Sequence, residues 1–113
     1  MAGNVLSWGV ALKKGFEPGL YPYTFNEIPL GEYEAVLDCK IWAKTIMGIN
    51  CYFTHVLSGK KFQLTVYCKH RTGIYKIEGC GIDFTQCETG RLYQLTVLAN
   101  DKKTIVFANA VLL

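Results

Sequence analysis

The sequence predicts an all-β domain, a small Greek-key barrel of roughly five strands preceded by an N-terminal strand and an irregular arm. Three observations carry this expectation. Apolar and polar residues alternate with a period of two through several segments. No segment sustains the i, i+3, i+4, i+7 apolar spacing of an amphipathic helix. All three prolines, Pro18, Pro22 and Pro29, lie in the first quarter, and the remainder can donate every ladder hydrogen bond. At 113 residues the chain makes one domain, with residues 1–31 as strand and arm and 32–113 as the barrel.

Val5 to Leu12 reads as the opening strand. It is interrupted by Ser7 and Gly9 and closed by Lys13-Lys14, too short to span a bilayer and without a preceding basic region. Gly15 to Gly31 reads as a long irregular loop with Tyr21-Pro22-Tyr23-Thr24-Phe25 in its middle. Glu32 to Ile46 is a long, bent strand with Tyr33, Ala35, Leu37, Cys39 and Ile41 in one phase, and Met47-Gly48 offers a turn or bulge after it. Ile49 to Leu57 and Phe62 to Cys68 form an antiparallel pair about the turn signal Ser58-Gly59-Lys60. Lys69 to Gly73 makes a basic loop, Ile74 to Ile77 a short strand, and Gly79-Cys80-Gly81 a sharp bend. Ile82 to Glu88 stays open between a helical turn and a loop. Arg91 to Ala99 and Thr104 to Leu112 close the domain as a hairpin around Asn100-Asp101-Lys102-Lys103. A long curved strand, a hairpin, an irregular connection and a second hairpin fit the OB-fold best, with a β-sandwich as the rival.

Half of the residues are hydrophobic and 19% are charged, which excludes a disordered chain. The net charge of +3 permits a nucleic-acid partner without requiring one, and the twelve Lys and Arg are scattered, so the fold must assemble any basic surface. Five cysteines, at 39, 51, 68, 80 and 87, form an odd set with no CxxC spacing. Buried free thiols in a reducing cytoplasm account for them, and the paired short spacings of a zinc site are missing. No cofactor or metal is expected.

The chemistry lies in the alternation. Lys40, Trp42 and Lys44 share one side of their strand, opposite Cys39, Ile41 and Ala43. In the later strand Lys61, Gln63, Thr65, Tyr67 and Lys69 oppose Phe62, Leu64, Val66 and Cys68. Cations interleaved with large rings suit single-stranded nucleic acid, which needs charge for phosphates and flat faces for bases. Lys40, Lys44, Lys61, Lys69 and Arg71 are the candidate phosphate contacts. Trp42, Tyr52, Tyr67 and Tyr75 are the candidate stacking platforms, and Phe53, Phe62, Phe84 and Phe107 the core aromatics. Tyr21, Tyr23 and Phe25 form a candidate clamp, or else a loop folded over an open barrel end. The plainer alternative is a solvated charged face and a second packing layer. Catalysis finds little support: His55 and His70 lie in no nucleophile motif, the nine carboxylates are dispersed, and no glycine-rich loop has a phosphate-binding pattern.

Gly90-Arg-Leu-Tyr-Gln-Leu-Thr-Val, a short turn, and Lys103-Thr-Ile-Val-Phe-Ala-Asn-Ala-Val-Leu-Leu carry a resemblance. From about Gly31 onward the chain resembles the OB-fold single-stranded DNA-binding proteins of filamentous bacteriophages, the gene V type, in which a similar Gly-x-Tyr-x-Val strand pairs with a final apolar strand. The resemblance implies a homodimer that coats and protects displaced single strands during phage DNA replication in the host cytoplasm. The N-terminal arm and the five cysteines depart from the smaller members. Apolar residues Val106, Ala108, Ala110 and Leu112 on one side of the last strand also suit burial on both faces or a partner subunit. The expected function is sequence-tolerant binding of single-stranded DNA, with RNA not distinguished. The alternative is a protein-interaction adaptor using the same aromatic face.

Overall fold

In the computed structural model the described residues are 5–15, 23–24, 27–42, 48–67, 87–102 and 105–113, without the side chains of Trp8, Tyr67, Val106 and Phe107. They form β1 (Val5–Leu6), α1 (Trp8–Lys13), β2 (Gly31–Trp42), β3 (Gly48–His55), β4 (Lys61–Tyr67), β5 (Leu92–Ala99) and β6 (Ile105–Leu112). The fold class is all-β, with α1 the one short helix among the described residues. The expected strands and bend over 68–86 lie outside the described residues.

The long central β2 organises one sheet, in the order β4-β3-β2-β5-β6. Its first half pairs on one side with β5, from Gly31 opposite Val97 to Val36 opposite Leu92. Its second half pairs on the other side with β3, from Ala35 opposite His55 to Trp42 opposite Ile49. Beyond the end of β5, β1 takes the vacated side of β2, parallel to it at Lys40 and Ile41. Strands β2, β3 and β4 follow one another antiparallel, and β5 returns to lie beside β2. Among the described strands that order, β5-β2-β3-β4, is that of a Greek key. The expected closure into a barrel is not met: among the described residues no ladder joins the edge strands β4 and β6, and the sheet is open. Alternation within a strand reports which face is buried and carries no information about which edges meet.

The inner face holds the main core. Ala35 and Leu37 of β2, Ile49, Cys51 and Phe53 of β3, and Phe62, Leu64 and Val66 of β4 join Tyr93, Leu95 and Val97 of β5 and Ala108 and Ala110 of β6. Each fully buried aliphatic or aromatic side chain here contributes about 1.5–3 kcal/mol. Phe53 and Phe62 oppose each other across the β3–β4 ladder and stack with centroids 5.4 Å apart. Leu112, the last member of the apolar phase of β6, is 47% exposed, so only the middle of that phase is buried.

The β3–β4 hairpin turns where expected. His55 donates its N–H to the Lys60 carbonyl at 2.8 Å, and Gly59 donates to the His55 carbonyl at 2.9 Å. Gly59 has φ +72, a conformation glycine adopts without a Cβ penalty. Nδ1 of His55 lies 2.7 Å from the Ser58 hydroxyl and accepts the Ser58 N–H at 3.2 Å, so this histidine ties its own turn.

The predicted opening strand over Val5 to Leu12 is corrected. Ser7, in extended backbone, accepts the Val10 N–H at 3.3 Å and caps α1, leaving only Val5 and Leu6 extended. The helix buries Ala11 completely against Cys39, Ile41 and Tyr52, while Val10 and Leu12 remain about half exposed. A buried alanine between two exposed aliphatics reads as alternation in a sequence, although it is one narrow helical stripe.

Candidate functional site

One irregularity decides which side chains reach the surface. Along β2 the ladder to β3 passes from Leu37 opposite Phe53 to Cys39 opposite Tyr52, so Asp38 is an extra residue, a β-bulge. Directly opposed residues share a face. Before the bulge Ala35 and Leu37 face the main core. After it Lys40, opposite Cys51, and Trp42, opposite Ile49, take that side. Cys39 and Ile41 turn instead to the outer face, where Ala11 and Tyr52 cover them.

The expected positions of Lys40, Trp42 and Tyr52 on an open surface are therefore corrected. Lys40 is 0% exposed, and Trp42 is half-buried against the main core. Tyr52 does lie on the outer face, but it is 1% exposed beneath the arm and α1. Burial drives its phenol pKa up to about 12. Lys61 is placed as expected, on the outer face and part-exposed. Lys44, Lys69, Arg71, Tyr75, Tyr21 and Phe25 lie outside the described residues, as does the side chain of Tyr67.

Lys61 belongs to a network centred on Asp38. The Tyr23 hydroxyl donates to Asp38 Oδ2 at 3.0 Å and the Thr54 hydroxyl donates to the same oxygen at 2.5 Å. Lys61 Nζ donates to Thr54 Oγ1 at 2.9 Å and lies 3.8 Å from Asp38 Oδ2. It also sits 5.3 Å from the centroid of the Tyr23 ring, a cation–π approach. The Tyr23 ring meets Tyr52 edge-on at 5.1 Å. Two rings, one cation and one carboxylate thus share a patch of the outer face.

A polar row continues from it. Gln63 Nε2 donates to Thr65 Oγ1, and Thr65 donates to Asn50 Oδ1, both at 3.0 Å. Hence Lys61, Gln63 and Thr65 of β4 stand beside Thr54, Tyr52 and Asn50 of β3. Except for Tyr52 these side chains are half-exposed. The surface offers hydroxyl and amide hydrogen bonds and one ammonium group at strand spacing.

Tyr23 is no free clamp. Thr24 forms a parallel bridge with Phe62 on the open edge of β4. Its N–H donates to the Lys61 carbonyl at 3.1 Å, and its carbonyl accepts the Gln63 N–H at 2.6 Å. The alternative reading of the arm, a loop folded over an open barrel end, falls mostly outside the described residues; Thr24 itself lies along the edge of β4.

Asp38 and Thr54 are the members that sequence reasoning missed. The signal for Thr54 was present: the Ser58-Gly59 turn sets the hairpin register, and that register puts Thr54 opposite Lys61. For Asp38 there was none, because a bulge leaves no local mark in an alternating strand. Cys39, Cys51 and Cys87 are buried, as expected of structural thiols. Among the described residues no three His, Cys, Asp or Glu side chains converge as metal ligands. Compared with protein-family models, curated proteins and solved structures, the chain matches none.

Proposed function

We propose that the protein binds single-stranded nucleic acid without sequence preference and without catalysis, across the outer face of β3 and β4. The observation that carries this reading is the row Lys61, Gln63 and Thr65 beside Thr54, Tyr52 and Asn50, with Tyr23 against its Lys61 end. An ammonium group and a line of hydrogen-bonding groups suit a phosphate backbone and base edges, and the Tyr52 ring, which Tyr23 covers, suits base stacking. The Greek-key connectivity supports an OB-like platform, on which consecutive strands form the binding face. DNA is the proposed partner because of the resemblance to the phage proteins, which also proposes a homodimer that coats displaced strands in a host cytoplasm.

The test is titration of labelled oligo(dT) and of a matched labelled duplex at low and high salt, read by fluorescence anisotropy of the label. Oligo(dT) alone should bind, and its log affinity should fall with log salt by roughly 0.7 per phosphate contact. Lys61→Ala should reduce that slope by about one contact's share. Equal affinity for duplex, or none for either, rejects the reading.

A second reading has its own support. Leu57 at the hairpin tip is 92% exposed beside Val56, and Leu98 of β5, Val111 and Leu112 of β6 and the following Leu113 are about half exposed. Exposed aliphatics of this kind favour a protein partner, whose binding would persist at high salt.

A further inference from the structure

The groups best suited to a nucleotide on the outer face are engaged with the protein's own arm. Tyr23 brings its ring against Tyr52 and beneath the Lys61 ammonium, and its hydroxyl reaches Asp38. A ring held edge-on to a tyrosine, with a cation over its face, occupies the space that a base would use. We propose that Tyr23-Thr24 is a displaceable strap which competes with single-stranded nucleic acid for the Tyr52–Lys61 patch. This inference rests on the proposed function and adds a means of regulation to the same site.

Two features make the strap a device that opens. Among the described residues its backbone attachment is one bridge, with Thr24 N–H on the Lys61 carbonyl and Gln63 N–H on the Thr24 carbonyl. Docking also carries a cost: the Thr24 hydroxyl oxygen is buried with no hydrogen-bond partner among the described residues. A buried polar atom without a partner destabilises the state that buries it, and undocking returns that hydroxyl to water. The docked strap is therefore opposed from within, while Tyr23 and Asp38 hold it.

Opposite changes in affinity are expected from two conservative substitutions. Tyr23→Phe deletes the hydroxyl that reaches Asp38 and keeps the ring and every charge. Thr24→Val deletes the orphaned hydroxyl and keeps the β-branched shape. The Gln63 amide reports the strap directly, because the Thr24 carbonyl is its acceptor. Amide hydrogen exchange at Gln63, with β3 amides as the global control, should quicken about threefold to tenfold in Tyr23→Phe and slow about as much in Thr24→Val. Oligo(dT) affinity should follow, tighter in Tyr23→Phe and weaker in Thr24→Val.

If wild-type protein binds oligo(dT) but Tyr23→Phe binds equally or more weakly, Tyr23 is no competitor and the strap proposal falls alone. Exchange at Gln63 no faster than in β3 would overturn it too, because the strap would then open only when the whole domain unfolds. If no form binds oligo(dT), the proposed function fails and the strap's role fails with it.

Discussion

Lys40 shows how far one side chain's environment departs from its place in the sequence. It alternates with Trp42 like a surface lysine, yet it is fully buried on the core side of β2. Lys40→Glu should therefore act on stability: reversing a buried charge removes its compensation and costs about 3–5 kcal/mol. Urea unfolding would measure this, and an unchanged midpoint would return Lys40 to the surface. The buried tyrosines make a second prediction. Burial raises the pKa of Tyr33, Tyr93 and Tyr52, the last to about 12 from an ordinary 10.0. The folded state thus holds these protons more tightly than the unfolded chain, whose tyrosines titrate near 10. The stabilisation is complete below pH 10 and is lost as the pH rises toward 12. Absorbance titration should show a late tyrosine class that joins the ordinary one on addition of denaturant.

The hairpin and the bulge mark the two ends of what could be read in advance. The β3–β4 and β5–β6 pairs were legible because each combines period-2 alternation with a turn whose composition sets the register. Gly59 makes the turn testable. A Cβ there would meet no atom within 4 Å, so Gly59→Ala suffers only from the left-handed backbone. The cost should be about 1 kcal/mol in urea unfolding, with Gly59→Asn losing less. A loss of several kcal/mol would mean that crowding matters there. The bulge at Asp38 was not legible. Any residue of a long strand can be the extra one, and the choice is made by pairing with β3, far away in sequence. The same reason explains why Lys61 was placed correctly and Lys40 was not. The sequence alone also could not separate α1 from a strand, since Ala11 is the one α1 side chain seen to be buried.

Across the whole sheet the outer face is divided electrostatically. Its β3–β4 side carries Lys61, paired with the Asp38 carboxylate, and neutral polar groups, whereas the first half of β2 exposes Glu32 and Glu34, which no described cation pairs. Two carboxylates repel a phosphate backbone, so the proposed track is confined to β3 and β4 and does not cross to β5. Changing both to Lys should extend the track: oligo(dT) should bind more tightly at low salt, with a slope steeper by about 0.7 for each phosphate gained. An unchanged slope would place the strand elsewhere on the molecule. Open Greek-key order at this scale was not deducible from any single strand, because closure depends on how the two edges are placed after every ladder has formed.

Asp38 acts on β2 as an added base acts on a reading frame. Every side chain downstream of it is translated to the opposite side, while the residues upstream keep their sense. A library meant to vary the surface of this strand must accordingly keep to the even positions before Asp38, because after it Cys39 and Ile41 lie under α1 and Tyr52 while Lys40 and Trp42 turn to the main core. One designed on uninterrupted alternation would spend its diversity on Lys40 and Trp42, on the core side of the strand. The same carboxylate holds Tyr23 and Thr54. Deleting Asp38 would therefore leave the downstream frame as it stands and erase the anchor of the arm.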